Sequence, residues 1–318
     1  MPQGRVAWWQ RDAGHMYLQI HSFPVCLRTA IVWPSNLSEK TPMRSRSPLI
    51  RAALTLIAGL TVLAPGMAMA DRLDDIRKAG VLRVGVFDAN PPFGFVDAKT
   101  SAPAGLDVDY AQEIARRLGV KAEFRATNPA NRIPLLASQK VDIVAANFTI
   151  TDERRQQISF STPYFASGLQ FISKKGALHQ PDDLKTWRLG VDKGTTQETT
   201  LRQKYPEARV IAYDDSPLAL SALRSGAIQA FAQDGAKLGA LLATLPNKDQ
   251  FEISAFTLTR EYMGVGIAKG EDRLQASIDQ ILLDLEKTGV AARIYDKWFG
   301  PKSAAPLARD FTIGSSVK

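Results

Sequence analysis

Residues 141–155 read V-D-I-V-A-A-N-F-T-I-T-D-E-R-R. An apolar run of strand length stops at Asn147, and hydroxyls, acids and two arginines follow at once. Thr151 ahead of Asp152 and Glu153 has the form of a helix start, a hydroxyl cap with acids in the first turn. Read blandly, this is a capped helix with a solvated face. Read as chemistry, it is a strand end carrying Asn147, Thr149 and Arg154 into a socket for a small anion, with Arg155 turned to solvent. A helix N-terminus favours an anion, and a guanidinium grips a carboxylate with two parallel hydrogen bonds.

The flanking sequence supports the second reading. Upstream, residues 71–80 form a short helix, V-L-R-V-G-V (81–86) a strand, and F-D-A-N-P-P-F a turn-rich loop. Ala111, Ile114, Ala115 and Leu118 recur at helical spacing and give one apolar face. Asp107 is the expected cap of that helix and Gly119 its end. Another helix, from about residue 133 to 139, leads into the buried strand. Downstream the order recurs: W-R-L-G-V (187–191) as a strand, a helix opened by D-K-G-T-T-Q-E, A-R-V-I-A-Y as a strand, S-P-L-A-L-S-A-L-R-S-G as a helix, and A-I-Q-A-F-A-Q-D as a strand ending at Asp234.

Strands alternating with helices imply parallel α/β units, and two copies imply two lobes. Open sheets of this kind bind ligands beyond the carboxyl ends of their strands. Both copies place polar residues there, which defines a cleft. The segment from G-V-G-I-A (264–268) through two amphipathic helices has no counterpart in the second copy and returns to complete the first lobe. The chain then crosses between lobes near 166–170 and near 257–263, and paired crossings make a hinge. The expected division is 71–167 with 259–302 as one lobe, 168–258 as the other, and 303–318 as a tail.

The net charge of +8 does not point to nucleic acid. Seven of the 40 Lys/Arg and only two of the 32 Asp/Glu fall in residues 1–70, leaving 33 and 30 in the remainder, with no basic run interleaved with aromatics. The excess belongs to a leader. M-R-S-R-S-P-L-I-R from Met43, the apolar A-A-L-T-L-I-A-G-L-T-V-L-A and the A-M-A before Asp71 are the basic, apolar and cleavage regions of a signal peptide spanning 43–70. No Cys follows the apolar region, so a free, unlipidated protein in the periplasm is expected. Residues 1–42, with Trp8, Trp9, Trp33 and Cys26, show no sustained periodicity and read as an extension assigned ahead of a true start at Met43. After residue 70 there is no cysteine and a single histidine, His179, in a polar loop. Thiolate metal sites, disulfides and cysteine nucleophiles are thereby excluded. A Ser-His-Asp triad would have to use that loop histidine, with no G-x-S-x-G elbow beside it, and neither cofactor nor metal nor catalytic residue is expected.

From residue 71 to about 300 the chain resembles the family 3 solute-binding proteins, the periplasmic amino-acid receptors of ABC importers. The resemblance rests on an ordered series: G-V-L-R-V-G-V, P-P-F-G-F, G-L-D-V-D-Y-A-Q-E-I-A, V-D-I-V-A-A-N-F-T-I-T-D-E-R, F-S-T-P-Y, K-G-T-T-Q-E-T and A-Q-D. It implies a two-lobed type II periplasmic binding fold, α/β throughout, with two doubly wound sheets joined by a two-segment hinge. It also implies a monomer that closes on a free amino acid and docks on an inner-membrane permease with its ATPase. Carried onto this sequence, Arg154 and Thr149 would hold the α-carboxylate with Thr196, beside Thr195, from the second lobe. Asp234 would pair with the α-ammonium, near Asn147. Arg132, in N-R-I-P-L-L, is similar to the glutamate/aspartate receptors, where it would meet a distal carboxylate. Phe87 and Pro129 depart from that pattern, so Phe87 and Phe93 could instead wall a longer side chain, and Asp192 could take a cation. An acidic amino acid is the preferred ligand, a neutral or basic one the alternative. The same fold also carries cyclohexadienyl dehydratases, but Gly235-Ala236-Lys237 lacks the glutamate they would need after A-Q-D.

Overall fold

The computed structural model describes residues 7–12, 15–20 and 71–314. The leader read at 43–70 and most of the 1–42 extension lie outside the described residues. Within the latter, β1 (Ala7–Asp12) and β2 (His15–Ile20) pair antiparallel, a hairpin that the absence of periodicity did not suggest. Their aromatic and aliphatic content suits extended backbone.

The first lobe begins with α1 (Arg72–Ala79), β3 (Val81–Phe87), α2 (Leu106–Leu118), β4 (Lys121–Thr127), α3 (Arg132–Ala137) and β5 (Ile143–Val144). α4 (Asp152–Gln157) and β6 (Ile158–Phe160) follow. α2 is capped by Gly105, not by Asp107. Gly105 has φ +137°, and an added Cβ would lie 2.1 Å from the Phe93 carbonyl oxygen. Asp107 sits inside the first turn and faces inward.

β7 (Phe165–Lys174) carries the chain into the second lobe, built of β8 (Arg188–Asp192), α5 (Thr196–Lys204), β9 (Arg209–Tyr213), α6 (Ser216–Ser225), β10 (Ala230–Asp234), α7 (Gly235–Thr244) and β11 (Phe251–Ile253). β12 (Arg260–Met263) brings it back, and β13 (Gly266–Ala268), α8 (Asp272–Lys287) and α9 (Val290–Phe299) join the first lobe.

The first sheet has the order β4-β3-β5-β13-β6. β3 runs parallel to β4 and β5, while β13 is antiparallel to β5 and β6. The second has the order β9-β8-β10-β7-β11, parallel about β8 and antiparallel about β7. Both sheets are therefore mixed: the crossing strand β7 runs antiparallel in the second, and β13, which follows the returning strand, runs antiparallel in the first. The crossings themselves are one ribbon: Phe165 to Gly168 pair with Met263 to Arg260. Each sheet buries apolar side chains on both faces. In the first, Leu82, Val84 and Val86 pack with α2, α8 and α9 on one side, and Leu136, Phe148 and Phe160 fill the other. In the second, Phe231 and Ile172 meet α6 and α7 opposite Leu169, Leu189 and Leu201. The segment after α9 lies along the first lobe and the ribbon, through Arg309–Glu286 (2.5 Å) and Arg260–Asp310 (2.7 Å). Among the described residues no helix is long and apolar enough to cross a membrane.

Candidate functional site

The carboxyl ends of β5 and β10 face one another, and Phe87, Pro129, Arg132, Asn147, Thr149, Arg154, Thr195, Thr196, Gln197, Gln233, Asp234 and Lys237 line one cavity between them. Of the residues singled out in sequence, Asp192 and Phe93 are absent from it. The Phe93 ring is wholly buried in the first-lobe core, edge-on to Phe165 at 5.1 Å and 5.8 Å from Phe299. Among the described residues, Phe87 is the one aromatic side chain lining the cavity.

Asn147 is the pivot. It takes a positive φ of 41°, rare for a residue other than glycine. Asp107 holds it there: its Oδ2 accepts the Asn147 backbone N–H at 2.7 Å, while its Oδ1 accepts the Tyr164 hydroxyl at 2.6 Å. The side chain is thereby aimed across the cleft, where Nδ2 donates to Asp234 Oδ2 at 2.6 Å. Asn147 Oδ1 and Asp234 Oδ1 are both buried without a hydrogen-bond partner among the described residues. Burial pushes the Asp107 carboxyl up to about 7 despite its two donors. Asp234 is also raised, first by burial and then by the nearby charge of Glu261, against the opposing Asn147 bond, Lys237 and Arg132.

Arg132 is buried, and its guanidinium is spent on main chain. Nε donates to Pro129 O at 3.0 Å, Nη1 to Ala146 O at 3.1 Å and Asn147 O at 3.0 Å, and Nη2 to Gly194 O at 3.2 Å. It lies over the Phe148 ring at 4.3 Å and the Phe87 ring at 5.6 Å. Four of its five N–H groups are thus committed. The open guanidinium foreseen for a distal carboxylate is, in this structure, a brace that stitches the ends of β5 and α3 to the second lobe. Burial and the neighbouring Arg154 both disfavour its charge.

Thr151 caps α4 as its sequence implies, accepting from the Arg154 N–H at 3.2 Å, and Arg155 is exposed. Arg154 donates through Nη1 to Thr149 O at 2.7 Å and through Nη2 to Gly194 O at 3.1 Å, leaving three N–H groups uncommitted. Thr195 caps α5, accepting from Glu198 N and donating to Asp192 O at 2.6 Å. Thr149 and Thr196, foreseen as donors to a solute carboxylate, both give their protons to Glu261 Oε2, at 2.9 and 2.8 Å. Asp192 already has a cation of its own. Lys237 Nζ sits 2.8 Å from its Oδ2, which also receives Gln233 Nε2 at 2.8 Å and the Ser216 hydroxyl.

Reasoning from sequence missed three supports of the site. Asp107 stands on the same helical stripe as Ala111, Ile114 and Leu118, so a carboxylate on an apolar face was the available signal. Tyr164 belongs to F-S-T-P-Y, a marker with no chemistry of its own until Asp107 is placed. Glu261 lies in a crossing strand and carries no motif.

Two α/β lobes joined by a pair of crossing strands, with polar side chains from both facing one cleft, define a type II solute-binding protein. Residues 82–301 match the bacterial extracellular solute-binding proteins, family 3, and the chain belongs to that family. It is 34% identical to the L-cystine-binding protein TcyJ of Escherichia coli (strain K12) over 253 residues, 78% of this chain and 92% of that protein. It is 27% identical to the L-glutamate/L-aspartate-binding protein of Pseudomonas aeruginosa over 279 residues, 83% and 92% of the two chains. Among solved structures, the cysteine-binding protein from Campylobacter jejuni superposes with a TM-score of 0.69 at 31% identity, covering 76% of this chain and 96% of that one.

Proposed function

We propose that this protein captures a free, polar amino acid by closing its lobes, 71–167 with 259–302 on one side and 168–258 on the other. It then delivers the solute, as a periplasmic monomer, to the permease and ATPase of an ABC transporter. The observation that carries the reading is the pair of buried, unpartnered acceptors, Asn147 Oδ1 and Asp234 Oδ1, in the cavity that also holds Arg154. Orphaned buried acceptors each cost about 1–3 kcal/mol, and an ammonium with three donors relieves both. The uncommitted N–H groups of Arg154 take the α-carboxylate of the same zwitterion. Thr149, Thr195 and Thr196 border that end of the cavity, and Phe87 and Arg132 border the space for the side chain.

Glutamate or aspartate, with its distal carboxylate on the last N–H of Arg132, is the first ligand to test. A neutral polar side chain is the second reading, favoured by the commitment of the other four N–H groups and by the likeness to cystine- and cysteine-binding relatives. We read the chain as a receptor, not an enzyme, because the stretch after Asp234, Gly235-Ala236-Lys237, holds no carboxylate, and its one ionisable side chain, Lys237, is already engaged by Asp192. Calorimetry with glutamate, aspartate, glutamine, cystine and arginine is the test. Tight binding of one of them that is lost in Asp234→Asn supports the proposal. Silence across the panel, or binding indifferent to Asp234, refutes it.

A further inference from the structure

Glu261 is buried on β12, the returning strand of the ribbon. Its Oε2 accepts three donors: Thr149 Oγ1 at 2.9 Å, Thr196 Oγ1 at 2.8 Å and Gln197 Nε2 at 3.4 Å. Its Oε1 is reached by Thr259 Oγ1 at 3.5 Å. Thr149 belongs to the first lobe, and Thr196 and Gln197 open α5 in the second. One carboxylate oxygen on the hinge therefore gathers donors from both lobes.

The chemistry of a hydroxyl sharpens the point. It has one proton and two lone pairs. An ionised carboxylate only accepts, so Thr149 and Thr196 spend their protons on Glu261 and show only lone pairs to the cavity. Bonds to a charged acceptor in a buried site are stronger than neutral ones, and these join parts of the chain that separate when the lobes open.

We propose that Glu261 is the positioning residue of the cleft, the clasp that draws Thr149 and Thr196 together across the lobes and leaves a solute carboxylate to Arg154. This deepens the amino-acid reading above and rests on it for the solute, but not for the clasp. Closure is then supported by the protein's own bonds before any solute arrives. The contribution of Glu261 to affinity is the same for every solute, since Glu261 touches the walls and not the side-chain end of the cavity.

The test compares wild type with Glu261→Ala, Glu261→Gln and Thr196→Val. Small-angle scattering of the solute-free proteins reads the clasp directly. Stopped-flow dissociation of each amino acid that binds reads its effect on retention. Glu261→Ala is expected to enlarge the solute-free radius of gyration and to speed dissociation of all bound amino acids by a common factor, about tenfold or more. Glu261→Gln, which keeps an acceptor oxygen, retains most of both properties. Thr196→Val, which removes one donor and keeps the charge, shows the same change in smaller measure, and adds little in the Glu261→Ala background. An unchanged radius and unchanged dissociation in Glu261→Ala and Thr196→Val overturn the proposal, as does a change confined to one solute. Should wild type bind no amino acid, the receptor reading fails by itself while the scattering comparison still decides the clasp.

Discussion

Asn147 of the first lobe donates its side-chain amide to Asp234 of the second at 2.6 Å. The bond leaves Asn147 Oδ1 and Asp234 Oδ1 buried without a partner among the described residues. The amide is held in place by its own backbone, bent to a positive φ by the Asp107 carboxylate behind it. A site prepared in this way presents two buried acceptors to the cleft.

Asp234→Asn is therefore expected to cost amino-acid affinity about 100-fold or more, since a buried charge-assisted bond is lost and an amide donor faces the ammonium instead. Asn147→Ala removes a neutral acceptor together with the amide donor to Asp234, and costs about tenfold or more. Calorimetry at fixed pH measures both. Because Asp234 must be ionised to hold an ammonium and its pKa is raised, wild-type affinity weakens as pH falls. Constant affinity with pH contradicts the assignment.

The same carboxylates set the pH dependence of stability. Asp107 titrates near 7 in the folded protein and near 3.8 as an ordinary carboxylate. Between those values the folded chain holds a proton that the unfolded chain has released, so stability falls as pH rises through the window. Its contribution is fully present below about 4 and is lost above about 7. Solute-free protein is thus expected to melt at a higher temperature at pH 5 than at pH 8, with the slope reduced in Asp107→Asn, which keeps an acceptor for the Asn147 N–H but cannot titrate. Equal slopes in the two proteins remove Asp107 from the account.

What the sequence disclosed follows periodicity and repetition. Two passes of strand, helix and strand put Asn147 and Asp234 at matching strand ends, and that placement needs no side-chain detail. What it withheld depends on contacts between distant segments. Phe93 follows two prolines in a loop and looks like a wall of the cleft, yet it is claimed by Phe165 and Phe299 from far along the chain. Arg132 was legible as a cation at the cleft, but not the four carbonyl oxygens that surround it, since backbone acceptors leave no mark on a sequence. Lys237 and Asp192 were each visible and their pairing was not.

Arg132 offers a clean separation of roles. A side-chain specificity residue, replaced by Ala, would cost affinity for acidic solutes alone. A brace on four backbone carbonyls, three of them buried, costs the fold. Arg132→Ala is expected to lose about 2–4 kcal/mol of stability, a fall of roughly 5–15 °C in melting temperature for a chain of this size. Thermal unfolding without solute measures it. A stable variant that has merely lost glutamate binding would return Arg132 to the specificity role.

At Gly194 the backbone of the second lobe approaches that of the first at Ala130. The Gly194 carbonyl accepts from both Arg132 and Arg154 of the first lobe. Its φ is +77°, and an added Cβ would stand 2.8 Å from the Ala130 Cα. Gly194→Ala therefore carries two penalties. The left-handed backbone costs about 1 kcal/mol in stability, and the methyl group props the lobes apart. Gly176 separates the two, having φ +70° but nothing within 4 Å of an added Cβ. Both alanine variants are expected to melt a few degrees below wild type. Only Gly194→Ala is expected to bind solute about 10–100-fold more weakly, through faster dissociation from a cleft that no longer shuts. If the two variants bind alike, the contact between Gly194 and Ala130 does not govern closure.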